Sequence, residues 1–292
     1  MNRLLIVDGH AYAYRAFHAI RDLRSPEGRP TNAIYGFVKM LGKMRQKTEP
    51  THLIVVWDGG LSPERVAALP EYKAHRPEMP LDLRPQLDEI GRYLTAAGVA
   101  QYCGDGVEAD DYIACLARRA AAAGWNVVIA SSDKDFMQLV TAEIGLLNPN
   151  DKTETIWGRE QVLAKTGVEP GQIADWLALT GDAVDNIPGL PGVGPKTAAD
   201  WLRQFGSVEA LLARPERVKS DRLRKIVQEF ATVLRRNREL VALAGVPCEF
   251  LPEQLAVRPE NAEALRGLYA GWGFRGMLAA LEAAPEKQAE LI

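Results

Sequence analysis

The chain has 292 residues, with 35 basic and 38 acidic side chains, and its formal charge of minus three argues on its face against a nucleic-acid binder. With 47% apolar residues it can bury a sizeable core, which excludes disorder as the main state. Its three cysteines, Cys103, Cys115 and Cys248, are odd in number, far apart and in no CxxC pair, which excludes a disulfide scaffold or thiolate zinc site and points to a reducing compartment.

In chain order, the first apolar block is Leu4 to Val7, closed by Asp8. Residues Ile34, Phe37, Val38, Leu41 and Met44 then keep the i, i+3, i+4, i+7 spacing of a buried helix stripe. A second block, Leu53 to Trp57, runs into Asp58. Neither block alternates in polarity, as expected of parallel strands covered on both faces. From Gly59 to Pro85 prolines stand at 63, 70, 77, 80 and 85, with Arg65, Lys73, Arg76 and Arg84 among them, so one long helix is forbidden there. The stretch reads as a solvated connection, or as a gate beside a strand end.

Leu87, Ile90 and Leu94 mark another helix, and Glu108, Asp110 and Asp111 open one that continues through Tyr112 to Arg119. The third strand block, Val127 to Ala130, is followed by Asp133 and Asp135. After Trp157 strand-like blocks give way to helical segments: Ile173 to Leu179, Thr197 to Phe205, Val208 to Leu212, and one from Leu223 to Leu243 that is rich in Arg and Lys. The division predicted is an α/β core over 1–165, a mainly parallel sheet flanked by helices with an arch at about 60–85, and a helical domain over 166–292.

In open parallel sheets ligands bind beyond the carboxyl ends of strands, and there the chain places acids repeatedly. Asp8, Asp58, Glu108, Asp110, Asp111, Asp133 and Asp135 fall at such junctions, and Asp182 and Asp185 add a pair at i, i+3. Any one of them could simply cap a helix. Nine gathered at one edge would repel one another and raise each other's pKa unless a cation neutralised them. Oxygen-only ligands select hard cations, so Mg²⁺, with Mn²⁺ as its substitute, is the expected occupant. Nine acids exceed what one hydrated octahedral ion uses; two ions roughly 4 Å apart are the known device for displacement at a phosphodiester.

Asn186 to Ala198 reads Asn-Ile-Pro-Gly-Leu-Pro-Gly-Val-Gly-Pro-Lys-Thr-Ala. Its glycines allow backbone N–H groups to approach an anion, Pro195 suits a first helical position, and Lys196 adds charge beside the turn.

Taken together, Asp-Gly-His with Tyr-Arg-Ala-Phe (Asp8 to Phe17), the Asp58 strand end, Tyr-Lys-Ala-His-Arg (Tyr72 to Arg76), Glu-Ala-Asp-Asp, Asp-Lys-Asp and Thr-Gly-Asp-Ala-Val-Asp-Asn with the glycine hairpin resemble the bacterial 5′ nuclease family. That flap endonuclease group includes the N-terminal domain of bacterial DNA polymerase I, and the match runs in order to Gly271-Trp-Gly-Phe. The resemblance implies a PIN-like nuclease core with a helix-hairpin-helix domain. It implies Asp8, Asp58, Glu108, Asp110 and Asp111 around one Mg²⁺, and Asp133, Asp135, Asp182 and Asp185 around a second. It implies that Lys73 and Arg76 act on the scissile phosphate from the base of the arch. Arg15, Tyr72 and Lys134 would lie along the DNA path, and Gly189, Gly192, Val193, Gly194, Lys196 and Thr197 would grip the duplex, with K⁺ held by turn carbonyls.

The implied activity is metal-dependent hydrolysis at 5′ ends and 5′ flaps of DNA, and of RNA primers in hybrids, in replication and repair. A monomer serving a separate polymerase and ligase is the expectation. Two departures stand out: the chain ends soon after the nuclease region, as a free-standing nuclease would, and Val66 replaces a common His while Arg65 is kept. The rivals are a PIN-type ribonuclease, usually shorter and without the hairpin, and a non-catalytic DNA-structure binder, whose mark would be missing carboxylates. The N-terminus reaches Asp8 too soon for a signal peptide and no apolar run nears the roughly 20 residues of a membrane span, so a cytoplasmic protein with no membrane contact is expected. Setting the nine candidate ligands aside from the 38 acids leaves 29 against 35 bases, a basic remainder that could face phosphate.

Overall fold

The computed structural model describes residues 2–151, 153, 155–243 and 246–289, with side chains through 283. In chain order it runs β1 (Arg3–Asp8), α1 (Gly9–Ala19), α2 (Asn32–Thr48), β2 (His52–Trp57), α3 (Pro63–Ala68), α4 (Arg84–Ala96), β3 (Ala100–Cys103) and α5 (Ala109–Ala122). Next come β4 (Asn126–Ala130), a 3₁₀ turn (Lys134–Leu139), β5 (Ile144–Leu147), β6 (Ile156–Trp157), α6 (Arg159–Thr166) and α7 (Ile173–Thr180). Two short strands, β7 (Gly181–Asp182) and β8 (Ile187–Pro188), precede α8 (Pro195–Phe205), α9 (Val208–Ala213), α10 (Asp221–Glu229) and α11 (Ala231–Val241). The chain closes with α12 (Pro252–Leu255), α13 (Ala262–Trp272) and α14 (Arg275–Ala289).

These elements form two compact units, each made of separate stretches of chain: Met1–Trp57, Glu78–Cys103 and Leu251–Ile292 in the first, Asp58–Pro77 and Gly104–Phe250 in the second. In the first, β3, β2 and β1 lie parallel in that order, with Leu5 opposite Leu53 and Val55 opposite Gln101. Leu4 to Val7 and Leu53 to Val56 are buried, as continuous apolar blocks covered on both faces should be. The buried amide of Gln86 in α4 accepts from Ala33 N at 2.8 Å and so supplies the α2 N-terminus with an acceptor that its cap side chain lacks.

In the second unit β4 and β5 are parallel and β6 pairs antiparallel on β5. Helix α5 packs on β4, and α7 packs against α8 and α11. The mainly parallel strands flanked by helices expected from the sequence are present, with three additions. Strands β3, β5 and β6 carry no continuous apolar block: β3 alternates half-buried and exposed residues, and β5 is four residues interrupted by Gly145.

Two expectations are corrected. The single helix expected from Leu223 to Leu243 is divided at Phe230 (φ −96°, ψ 14°), because α10 packs on the 3₁₀ turn Pro215–Arg217 whereas α11 packs on α7. The cysteines are not all free: Cys115 in α5 is bonded to Cys248, 133 residues later, and Cys103 is the free one. The count was odd, and a pair so distant in sequence leaves no local signal. Among the described residues no helix is long and apolar enough to cross a membrane.

Candidate active site

Helix α5 begins with acids because its N-terminus carries unpaired N–H groups and the positive end of the helix dipole. Glu108 is its cap residue, in extended backbone, and Asp110 and Asp111 lie in its first turn. The preceding turn is pinned to the segment after β2, with Gly59 N donating to Val107 O at 3.0 Å and Gly106 N to Gly59 O at 3.0 Å. A Cβ at Gly59 would collide with the Gly104 carbonyl, so only glycine lets the chain leave Asp58 here.

Glu108 is 2% exposed and fully engaged. It accepts from Ser62 N at 2.9 Å, from the Tyr72 hydroxyl at 3.1 Å and from the Lys73 ammonium. Burial alone would raise its carboxyl, but the adjoining Lys73 charge and its hydrogen bond outweigh that and hold it below the usual range. Asp111 accepts both arms of the Arg65 guanidinium, at 2.7 and 2.8 Å. Asp110 lies 3.8 Å from Arg65 and 3.9 Å from Lys73, and burial pushes its carboxyl up to about 7.

A second set of acids comes from the end of β4 and from the α7–α8 hairpin. Asp133 caps the 3₁₀ turn by accepting from Asp135 N at 2.9 Å, which turns Asp135 inward. Gly181 takes a left-handed φ of +76°, and a Cβ there would meet Gly189 N and Ile187 O, so β7 and β8 close tightly and hold Asp182 buried. Asp182 accepts from Val184 N at 2.9 Å, bending the chain so that Asp185 follows on the same side. The result is convergence: Asp135, Asp182 and Asp185 each offer a carboxylate oxygen within 4.8 Å of the others.

Asp135 Oδ1 is buried without a hydrogen-bond partner. Burial, then the charges of Asp133, Asp182 and Asp185, raise its carboxyl well above the ordinary range. Hard, all-oxygen donors with an orphaned buried oxygen fit a divalent cation, so the residues present pass the test for one.

Basic groups line both sets. Lys73, in a left-handed conformation (φ 55°), has its amide fixed to Asp185 O at 3.0 Å and its ammonium 3.9 Å from Asp185 as well as bonded to Glu108. Burial alone would lower its pKa; Asp110, Asp185 and Glu108 more than reverse this and keep it charged. Arg76 donates to Asp185 at 2.8 Å, and Lys134 lies 3.0 Å from Asp182. Tyr72 is buried beneath Lys73, whose ammonium stands 4.9 Å from its ring centroid.

Twelve of the residues singled out in the sequence thus lie in the second unit around these two sets, if Asp58 is counted. Asp58 is half-buried at the end of β2 and accepts from Gly60 N at 3.4 Å. Asp8 and Arg15 lie in the first unit, where Asp8 caps α1 by accepting from Ala11 N at 3.1 Å and Arg15 is exposed on α1.

The glycine hairpin also forms as a turn between two helices. Gly189 backs onto Thr180 O, Gly192 has φ +78°, Val193 is buried, and Gly194 in extended backbone precedes Pro195 at the first position of α8. Lys196 is exposed and Thr197 half-buried beside it. Asn237, fully buried in α11, donates to Pro188 O at 2.6 Å and braces the turn from behind.

Sequence reasoning did not give a site role to Arg65 or to the backbone of Ser62. Arg65 was visible as one of several basic residues in a proline-rich stretch and as a residue kept beside the departure at Val66; neither signal gave it a partner or a role.

The chain is similar to known proteins over most of its length. Residues 3–167 match the 5′-3′ exonuclease N-terminal resolvase-like domain, and residues 168–263 match the 5′-3′ exonuclease C-terminal SAM fold. A 5′-3′ exonuclease of Aquifex aeolicus is 43% identical over 222 residues, 76% of each chain. DNA polymerase I of Bacillus caldotenax is 36% identical over 96% of this chain, which spans only 32% of that relative. Among solved structures, T5 5′-exonuclease with bound zinc is 26% identical with a TM-score of 0.69, covering 83% of this chain and 90% of that one. The catalytic core of Rad2 in complex with a DNA substrate, 16% identical with a TM-score of 0.66 over 97% and 92% of the two chains, shares the fold. The chain is a member of the 5′-3′ exonuclease family.

Proposed function

We propose that the protein is a structure-selective 5′ nuclease that hydrolyses phosphodiester bonds at 5′ ends and 5′ flaps of DNA, with divalent metal ions, Mg²⁺ above all, as cofactor. The observation that carries this is the convergence of Asp135, Asp182 and Asp185, one of them with an unmet buried oxygen, beside Lys73 and Arg76. Membership of the 5′-3′ exonuclease family and the metal-bound T5 relative support it.

Asp135, Asp182 and Asp185, with Asp133 next to them, would hold one ion. Glu108, Asp110 and Asp111, with Asp58, would hold a second. When bound, such ions lower the pKa of a water nucleophile and neutralise charge on the phosphate and leaving oxygen. The chain's own residues do the rest. Lys73, charged and fixed at its amide, and Arg76, in its bond to Asp185, present positive charge to a phosphate, and this counts for more as water is excluded. Tyr72 supports the Lys73 ammonium from below. Lys134 and Arg15 would meet the DNA backbone, and the α7–α8 turn with Lys196 and Thr197 would hold the duplex through N–H groups, with K⁺ at its carbonyls.

In this reading residues 1–165 with the arch at about 60–85 carry the chemistry and residues 166–292 the duplex grip, in a cytoplasmic monomer that works beside a polymerase and a ligase and also accepts RNA in hybrid 5′ ends.

An end-labelled 5′-flap duplex decides the reaction. Mg²⁺ should release flap-length product cut near the single-strand to double-strand junction, and chelation should stop it. An all-RNA flap cut faster than the DNA flap would instead indicate a ribonuclease.

A further inference from the structure

The segment of α3 poses a problem of what holds it in place. It is six residues long, far below the length at which an isolated helix is stable in water, so it depends on tertiary contacts. Its one buried residue is not apolar but Arg65, 7% exposed, whereas Pro63, Glu64, Ala67 and Ala68 are exposed. The Arg65 guanidinium takes both oxygens of Asp111 at 2.7 and 2.8 Å, lies 3.3 Å from Glu108 and 3.8 Å from Asp110, and donates to Ala242 O beyond α11 at 3.1 Å. A surface helix is thus tied down by a bidentate ion pair to the very carboxylates that the functional reading gives to a metal ion. Planar bidentate pairing leaves Asp111 no oxygen outside Arg65's reach.

We propose that Arg65 is a latch, a positioning residue that competes with a divalent cation for Asp111 and Glu108, so that ion binding at Glu108, Asp110 and Asp111 releases α3. The proposal rests on the reading that those three acids hold an ion. Its logic is charge: the three carboxylates are met by two cations, Arg65 and Lys73, and a divalent ion would supply what the guanidinium supplies now. Because linkage is reciprocal, whatever removes Arg65 must tighten the ion, and whatever binds the ion must loosen α3. The device would make the segment between β2 and Lys73, whose far end carries the phosphate-facing lysine, open to a DNA strand only once the metal is in place.

Two measurements test it. The first is calorimetric titration of Mg²⁺ alone into protein carrying Asp135→Asn, which silences the other acidic set, with and without Arg65→Met. The dissociation constant should fall about tenfold when the guanidinium is removed, within the usual range of couplings. The second needs no change at Arg65: hydrogen exchange of the unaltered protein, where Mg²⁺ should deprotect the amides of Val66 and Leu69, which now bond to Ser62 O at 3.1 Å and Arg65 O at 2.9 Å. Unchanged or weaker Mg²⁺ binding in Arg65→Met, or unchanged exchange at those amides, overturns the latch. The site reading fails separately: Asp110 accepts no hydrogen bond from Arg65, and if Asp110→Asn leaves Mg²⁺ binding in the Asp135→Asn background intact, these acids hold no ion. Should Arg65→Met not fold, the exchange result alone decides.

Discussion

The two acidic sets of the second unit differ in how their charge is met. Glu108, Asp110 and Asp111 are answered from within the chain by Arg65, Lys73, Tyr72 and the Ser62 amide. Asp135, Asp182 and Asp185 are pressed together with an unmet buried oxygen; apart from Lys73, shared with the first set and 3.9 Å from Asp185, their basic neighbours Arg76 and Lys134 are about 40% exposed. The first set is met largely from within the fold, Asp110 excepted; the second is left with repulsion that suits it to a cation from outside. Similar clusters of carboxylates in one protein can therefore differ in what must neutralise them.

The sharpest break of this contrast is Asp135→Asn. It removes a ligand charge and should lower flap cleavage in Mg²⁺ by roughly a thousandfold, about 4 kcal/mol of lost electrostatic stabilisation. In chelator the same change should raise the melting temperature, because it relieves repulsion. Lys73→Met should do the reverse for stability, costing about 3–5 kcal/mol by leaving Glu108 buried without its ammonium, as measured by denaturant unfolding. Next in size is the Cys115–Cys248 bond, which closes 133 residues of the second unit. Cys248→Ser should cost about 2–4 kcal/mol, and a reductant should lower the melting temperature of the unaltered protein but not of the variant.

A pH measurement sharpens the comparison. With the Asp110 carboxyl raised to about 7 from an ordinary value near 4, the folded chain binds more protons than the unfolded one between those values. Its contribution to stability is therefore present at low pH and is lost as pH rises toward 7, so unaltered protein in chelator should lose stability relative to Asp110→Asn across that window. The smallest effect should be Lys134→Met: its ion pair with Asp182 is partly solvated, so less than about 1 kcal/mol of stability is at stake.

Much of this was legible in the sequence, and the reason is local. An acid that ends a strand or opens a helix is placed by backbone geometry that a few residues determine, and Asp8, Asp58, Glu108 and Asp133 stand where that rule puts them. Asp182 and Asp185 were legible through their spacing and the glycines that fold the hairpin. What the sequence hid was pairing across long separations. Nothing near Arg65 marks Asp111, 46 residues away, as its partner. Nor does anything mark Cys248 as the partner of Cys115, or Asn237 as the brace of Pro188 O, 49 residues distant. Edge strands such as β3 were hidden for a different reason, because a half-exposed strand needs no apolar block.

The net charge of minus three also reads differently once the acids are located. At least six of them are gathered in two sets, so binding to DNA should weaken steeply as salt rises in spite of the acidic balance. The central claim, that Asp135, Asp182 and Asp185 form a divalent-cation site, is tested most directly by anomalous diffraction from crystals soaked in Mn²⁺. An anomalous peak within direct coordination distance of all three carboxylates is the result expected; occupancy elsewhere with none at these three would contradict it.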